Sequence, residues 1–214
     1  MKCEDKKKIL YLGHDPARFS QNQKELFHFP IIQTKKLAID SLEGFLESSY
    51  LLVTSRQAVF CLVNLLTPQE KANFQKMKII SIGSATTLSL KEKGVDVAHQ
   101  AEVATAEGVV KLIEELPLKT EDCFFYPHSA LSRNIITDFF IQKNIKYHAV
   151  ALYTTIPNKE LPPPDLKNFE EIIFTSPSTV DAFLQLYGSL PKNLKLTPLG
   201  PITANYLMKS TKFG

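Results

Sequence analysis

LLVTSRQAV, residues Leu51–Val59, and ISIGSAT, residues Ile80–Thr86, are the two stretches that decide the fold. Each is a short apolar run that stops at Gly, Ser or Thr and continues into a helix-forming segment. The same pair occurs again as IIFTSPSTV, residues 172–180, and TPLGPITA, residues 197–204. Because the order and the spacing are similar in both pairs, we predict that the chain contains two copies of one α/β unit.

Short apolar runs alternate with helical patterns along most of the chain. This alternation predicts parallel sheets with right-handed crossovers. The predicted strands are 9–12, 51–53, 78–82, 95–98, 123–126, 147–154, 172–174 and 195–199, with 31–34 a strand or an extended linker. The predicted helices are 17–27, 41–48, 57–66, 85–93, 105–116, 133–143, 179–187 and 202–208.

The repeated turns place hydroxyl groups and free backbone N–H groups where a strand leads into a helix. Such corners bind anions, because the first N–H groups of a helix have no partner within the helix and carry partial positive charge. The net charge of +3 also favours an anionic ligand. Apart from Lys6–Lys8 the basic residues are scattered, so nucleic-acid binding is not expected.

The composition favours a reduced, intracellular setting. The cysteines at 3, 61 and 123 are far apart and odd in number, which does not indicate a disulfide framework. The charged start and the short apolar run after it do not match a signal peptide, and no run approaches the ~20 apolar residues of a membrane span. None of the five histidines pairs with another His or Cys at metal-ligand spacing. We therefore expect a cytoplasmic protein without a metal or a membrane partner, and we also expect a monomer.

Six short motifs in order resemble the uroporphyrinogen-III synthase family over nearly the whole chain. Each is weak alone, and their common order with sensible gaps makes the resemblance specific. They are VTSRQAV at 53–59, IGSAT at 82–86, ATAEG at 104–108, ALYTT at 151–155, FTSPSTV at 174–180 and LGPITA at 199–204.

The resemblance implies two flavodoxin-like α/β domains with parallel sheets, joined by a two-stranded connector. Domain 1 would be discontinuous, with residues 1–33 and 154–214, and domain 2 would contain residues 37–150. The residues themselves leave another arrangement open, because a plain tandem of 1–116 and 121–214 fits the repeat equally well.

The resemblance also implies a reaction. Members of the family close hydroxymethylbilane, a linear tetrapyrrole with eight carboxylates, to uroporphyrinogen III, with inversion of the last pyrrole ring and loss of water. They are lyases of porphyrin and heme biosynthesis and use no metal or organic cofactor. Holding the substrate in one conformation is the hardest part of this task, so positioning matters more than strong acids or bases.

Tyr153 is the candidate catalytic residue, since it aligns with a family tyrosine thought to assist departure of the hydroxyl. A phenol with a pKa near 10 stays protonated at neutral pH and can donate a proton. The candidate substrate-binding residues are Thr203, Ser55, Arg56, Ser84, Thr86, Ser176 and Ser178. The Ser and Thr hydroxyls in this set are equally consistent with helix caps. Arg56 is the best single partner for a substrate carboxylate, because its guanidinium can form two parallel hydrogen bonds.

Two departures from the family pattern bear on these expectations. Leu12-Gly13-His14 stands where the family often has Thr-Arg, so no role is assigned there. The second copy of the repeat is also one strand and one helix shorter than the first, which predicts either an open sheet edge or a different closure of the sheet. The sequence is compatible with a naturally short chain and with a truncated one.

Two other functions fit part of the pattern. A two-domain protein that binds a small polyanion without chemistry would need the same hydroxyl-bearing corners. A doubled receiver-like signalling domain would need acidic residues after its first and third strands. Thr54 stands where the acidic residue after the third strand would be required.

Overall fold

A computed structural model of the chain describes residues 8–13, 16 and 25–211. The chain divides into two units, one formed by Met1–Lys35 with Thr155–Gly214 and the other by Lys36–Thr154. Each unit contains a sheet with parallel strand pairs, and several of these strands lead into helices. The predicted α/β class with parallel sheets is confirmed.

The continuous unit is built on a six-stranded sheet with the order β3-β8-β7-β4-β5-β6. Its strands are β3 (Ile32–Lys36), β4 (Tyr50–Val53), β5 (Lys78–Ser81), β6 (His99–Gln100), β7 (Cys123–Ser129) and β8 (Lys146–Pro157). Its helices are α1 (Arg56–Leu65), α2 (Pro68–Phe74), α3 (Ser84–Lys91), α4 (Ala106–Glu114) and α5 (Ile135–Gln142). β3 and β8 each continue across the boundary into the other unit.

Apolar clusters cover both faces of this sheet. Leu51 and Val53 belong to one cluster, and their neighbours Tyr50 and Leu52 belong to another. Successive side chains of a strand point to opposite faces, and because both faces are covered, all four residues of β4 are buried. A strand buried on both faces is typical of a parallel sheet covered by helices on both sides.

The discontinuous unit contains a four-stranded sheet with the order β10-β9-β1-β2. Its strands are β1 (Lys8–Tyr11), β2 (Leu26–His28), β9 (Phe169–Phe174) and β10 (Lys195–Pro198), and its helices are α6 (Pro177–Tyr187) and α7 (Pro201–Thr211). β1 pairs with β9 rather than with β4, so the plain tandem of 1–116 and 121–214 is wrong.

The internal repeat is present in the structure. β4, α1, β5 and α3 occur in the same order as β9, α6, β10 and α7, with α2 as an additional helix between α1 and β5 in the first copy. In each copy the two strands are parallel neighbours, as the pairs Leu51–Ile79 and Ile172–Leu196 illustrate. The strand on the other side of the first copy is β7, and the corresponding strand of the second copy is β1.

Three predicted elements differ from the structure. Residues 43–47 form turns rather than part of a helix over 41–48, because Gly44 has a φ of +80°, which a right-handed helix does not allow. Residues 95–98 are not a strand, and β6 begins at His99. The predicted helix over 17–27 falls largely outside the described residues, and its last part is wrong because β2 begins at Leu26.

The helix α2 was not predicted. Thr67 caps it by accepting from the Glu70 N–H, Glu70 in turn accepts from the Thr67 N–H, and Pro68 occupies the first turn. None of the helices that the structure describes has both the length and the apolar composition needed to span a bilayer.

Candidate functional site

The candidate residues lie just after the carboxyl ends of parallel strands. Ser55 follows β4, Ser84 follows β5, Ser176 follows β9 and Thr203 follows β10. In open α/β sheets, ligands bind at this edge, where the helix N-termini face outward. The sequence folds this way because each strand ends at a Gly, Ser or Thr that can cap or begin the next helix.

Ser55 and Tyr153 are in direct contact. The Ser55 hydroxyl caps α1 by accepting from the Ala58 N–H at 3.0 Å, and it lies 2.7 Å from the Tyr153 hydroxyl. Tyr153 lies on β8, which is separated from β4 by β7. The sheet order therefore joins two candidate residues that are far apart in the sequence.

The backbone around Tyr153 is also fixed by pairing with the neighbouring strand. Ser129 is paired with Tyr153 across β7 and β8, at a register shift after His128. The Ala130 N–H donates to the Tyr153 carbonyl at 2.8 Å. The position of the phenol is thus fixed by its own strand, by β7 and by the cap of α1.

Tyr153 is almost completely buried, with 8% of its surface exposed. Burial raises the pKa of the Tyr153 phenol, and the hydrogen bond with Ser55 acts in the opposite direction. The phenol is therefore protonated at neutral pH and can donate its proton or a hydrogen bond.

The other candidates of the continuous unit differ in exposure. Arg56, the first residue of α1, is exposed, and its side chain forms no ion pair within the described ranges. Ser84 is exposed at the start of α3, where Gly83 occupies the cap position without a side-chain bond. Thr86, two residues further on, is buried on the inner side of α3. Arg56 and Ser84 are thus accessible to a ligand, whereas Thr86 faces the core.

The candidates of the discontinuous unit cluster at two helix starts. Ser176 is the cap residue of α6, and its N–H donates to the Thr179 hydroxyl at 3.3 Å. Ser178 lies half-buried in the first turn of α6. Thr203, near the start of α7, is only 3% exposed. Ser176 and Ser178 are therefore more accessible than Thr203.

One further group at the edge was not singled out from the sequence. Tyr126 of β7 is 3% exposed, and its ring stacks on the His128 ring with 4.9 Å between the centroids. Burial raises the pKa of this phenol above its ordinary value, and the nearby side chains of Thr54 and Ser132 oppose that effect. Tyr126 lies in the apolar run CFFY, where the sequence predicts only core residues. The available signal was its place at the end of the predicted strand 123–126, where side chains of a parallel sheet can reach a ligand.

Metal-ligating side chains do not converge at this edge in the part of the chain that the structure describes. Within residues 8–13, 16 and 25–211, no group of three or more His, Cys, Asp or Glu is placed to hold a metal ion. The groups available for chemistry near Tyr153 are hydroxyls and backbone N–H groups. Such groups can orient a ligand, donate hydrogen bonds and protonate a leaving group.

Three comparisons with known proteins bear on these observations. A uroporphyrinogen-III synthase of Chlorobaculum parvum is 23% identical over 198 residues, which are 85% of this chain and 78% of that protein. The crystal structure of uroporphyrinogen-III synthetase from Helicobacter pylori 26695 superimposes with a TM-score of 0.69 at 19% identity, over 96% of this chain and 89% of that one. A mutant uroporphyrinogen III synthase from the extremely thermophilic bacterium Thermus thermophilus gives a TM-score of 0.64 at 15% identity, over 95% of this chain and 89% of that one.

At these identities the solved structures establish a shared fold. The family itself is established by sequence, because the family model described as uroporphyrinogen-III synthase HemD matches residues 16–211, which is most of the chain. The matched segment includes both copies of the repeat and the Ser55–Tyr153 contact. The chain belongs to the uroporphyrinogen-III synthase family.

Proposed function

We propose that the chain closes hydroxymethylbilane to uroporphyrinogen III, with inversion of the last pyrrole ring and loss of water. It would thus act as a lyase of porphyrin biosynthesis. The observation that carries the proposal is the buried Tyr153 phenol, 2.7 Å from the Ser55 hydroxyl, in a chain of this family.

In the proposed reaction, Tyr153 assists departure of the substrate hydroxyl. The bond between the hydroxymethyl carbon and its oxygen breaks, and the oxygen leaves as water with a proton donated through the phenol. The resulting azafulvene is electrophilic, and the substituted carbon of the last ring attacks it to form a spiro intermediate. Burial supports this role, since it keeps the phenol protonated at neutral pH.

Ser55 would orient the phenol, and the remaining hydroxyls would bind substrate carboxylates. Hydrogen bonds to charged groups contribute about 1.5–3 kcal/mol each, so several uncharged donors can bind a substrate with eight carboxylates without many arginines. In the continuous unit, Arg56 and Ser84 would contact carboxylates directly. In the discontinuous unit, Ser176 and Ser178 would do so.

The burial of Thr86 and Thr203 bears on how they would act. Both face the inner side of their helices, so in the proposed function they would fix the start of α3 and of α7 rather than contact the substrate directly. The start of each helix can then meet a carboxylate, which gains roughly 0.3–1 kcal/mol at a helix N-terminus.

The test is incubation of the protein with freshly generated hydroxymethylbilane, followed by separation of the type I and type III products. Spontaneous closure gives the type I isomer, so a heat-denatured sample of the same protein is the control. Type III product in excess over that control supports the proposal. Type I product alone contradicts it, and tight binding of the bilane without turnover would then favour the polyanion-binding protein.

A further inference from the structure

Three polar side chains at the carboxyl ends of β5 and β6 form a chain of hydrogen bonds. The hydroxyls of Ser81 and Thr87 lie 2.6 Å apart, and the Thr87 hydroxyl donates to Gln100 Oε1 at 2.7 Å. Ser81 is the last residue of β5, Thr87 lies near the start of α3, and Gln100 is the last residue of β6. The chain of bonds therefore ends at the sheet edge that holds the candidate site.

The direction of these bonds is determined by the chemistry of the groups. An amide oxygen can only accept a hydrogen bond, so the Thr87 hydroxyl is the donor to Gln100. The single proton of the Thr87 hydroxyl is then in use, and Thr87 accepts its other bond from Ser81. Ser81 has no exposed surface, so its proton has Thr87 rather than water as its partner. The Gln100 oxygen is thus held from inside the protein.

The nitrogen of the same amide is available to a ligand. Gln100 Nε2 carries two N–H donors, and no hydrogen bond joins them to another residue among 8–13, 16 and 25–211. The Gln100 side chain is exposed. Its backbone is fixed, because Gln100 is paired with Ser81 and the Ala101 N–H donates to the Ser81 carbonyl at 3.0 Å.

The Gln100 amide lies on the same side of α3 as a candidate substrate-binding residue. Ser84, which is exposed, stands three positions before Thr87, and residues three apart occupy the same face of a helix. Thr87 in turn contacts Gln100. The Ser84 hydroxyl and the Gln100 amide are both uncharged donors, and hydrogen bonds from such donors are strongest to an ionised acceptor such as a carboxylate.

We propose that Gln100 is a further substrate-binding residue: its two N–H groups donate to a carboxylate of the substrate, and Thr87 positions the amide through its bond to the Gln100 oxygen. The identification of that substrate as hydroxymethylbilane rests on the proposed function. The ability of Gln100 to bind a carboxylate does not, and it can be measured separately with a stable compound.

A purely structural role would make Gln100 only an acceptor for the Thr87 hydroxyl. Gln100→Glu separates the two roles, since it has nearly the same shape, keeps an oxygen for Thr87 and replaces the two N–H donors by a second, charged oxygen. With the structural role, this variant would bind and react as the unsubstituted protein does. With the binding role, it would repel the substrate carboxylate.

Binding is measured at neutral pH by fluorescence titration with uroporphyrin III, the oxidised macrocycle that carries the eight carboxylates of the product. We expect Gln100→Glu to weaken binding at least about ten-fold, the value of one hydrogen bond to a charged group. The KM for hydroxymethylbilane should rise by a similar factor, with kcat nearly unchanged. Gln69→Glu is the matched control, because it adds the same charge on α2, which leads to the amino end of β5, and it should bind normally.

The positioning role of Thr87 is tested in the same titration. Thr87→Val removes the hydroxyl at nearly constant shape and should weaken binding about three- to ten-fold, the value of one net hydrogen bond. Thr87→Ser keeps the hydroxyl and should restore binding. Because Thr87 acts through Gln100, Thr87→Val should cause no further loss when it is added to Gln100→Glu.

Unchanged binding and an unchanged KM in Gln100→Glu would overturn the proposal, as would an equal loss in Gln69→Glu. A further loss on adding Thr87→Val to Gln100→Glu would overturn the positioning role of Thr87. If Thr87→Val fails to fold by circular dichroism, Thr87→Ser and the Gln100 variant decide the question. If the unsubstituted protein forms no type III product, the proposed function fails, while the uroporphyrin titration still decides the role of Gln100.

Discussion

Replacement of Tyr153 by Phe is expected to lower the turnover rate strongly and the free energy of unfolding only slightly. The substitution removes one hydroxyl and keeps the ring, which packs with Val53 and Cys61. Ser55 keeps its bond from the Ala58 N–H at 3.0 Å, so the cap of α1 is preserved. The structural loss is therefore one neutral hydrogen bond, about 0.5–1.5 kcal/mol in the free energy of unfolding.

The expected catalytic loss is much larger. A positioned proton donor contributes about 10²–10⁴ in rate, or roughly 3–5 kcal/mol at 1.36 kcal/mol per tenfold. We expect Tyr153→Phe to lower kcat for type III product by at least about 100-fold while the urea midpoint shifts only slightly. The rate is measured with fresh hydroxymethylbilane and chromatographic separation of the isomers.

Tyr187→Phe is the matched control. Its hydroxyl also donates a single hydrogen bond, to the Pro164 carbonyl at 2.9 Å, at the amino end of β9. This variant should lose a similar stability and keep its turnover. Type III formation by Tyr153→Phe at more than half the unsubstituted rate would refute the role of Tyr153, and so would an equal fall in both variants.

Three further predictions concern the stability of the fold. Gly44→Ala should lower the free energy of unfolding by about 2–4 kcal/mol, because its φ of +80° disfavours a side chain and the added Cβ would overlap the His148 ring. Gly94→Ala, with a φ of +74° and no atom within 4 Å of the added Cβ, should cost only about 1–2 kcal/mol; equal losses in urea unfolding would contradict the overlap. Thr67→Ala should cost about 1 kcal/mol through loss of the α2 cap, and an unchanged urea midpoint would show that this cap is dispensable. Burial and then a nearby carboxylate raise the pKa of Tyr187 to about 12, so its contribution is complete below pH 10 and is lost as the pH rises from 10 to 12. The stability advantage of the unsubstituted protein over Tyr187→Phe should shrink over that range in urea unfolding, and a constant difference would contradict the shift.

Local signals were sufficient for the repeated strand-to-helix units. At Ser55 and Ser176, an apolar run followed by Thr-Ser predicts the end of a strand and the cap of a helix, and both are observed. These features depend on a few adjacent residues, so one sequence carries enough information. The helix α2 had an equally local signal, since Thr67-Pro68-Gln69-Glu70 contains a capping box and a proline at the first helical position.

Other elements depend on contacts distant in the sequence. The segment over 41–48 has helical composition, but Gly44 turns there and lies against His148 of β8. Residues 95–98 are apolar enough for a strand, yet only the Ala98 N–H reaches β5, at the Ile79 carbonyl, and paired residues begin at His99. Tertiary packing decides both cases, and no local pattern expresses it.

In the candidate site, too, single residues could be predicted from local motifs, whereas the contacts between them could not. Tyr153 and Ser55 were each identified from motifs, but their 2.7 Å contact depends on β7 lying between β8 and β4. Tyr126 was overlooked because an aromatic residue in an apolar run is most simply a core residue. Its burial and its stacking on His128 become visible only in three dimensions.

The pairing of β1 with β9 has a consequence for synthesis of the protein. On the ribosome, β1 emerges early, whereas its partner begins only at Phe169. At roughly 5–20 residues per second, the nascent β1 waits on the order of ten seconds for that partner. Every residue of Lys36–Thr154 is translated within this interval, so that unit can fold first. A chaperone that shields the apolar run Ile9–Leu12 is therefore expected to raise the yield of native protein.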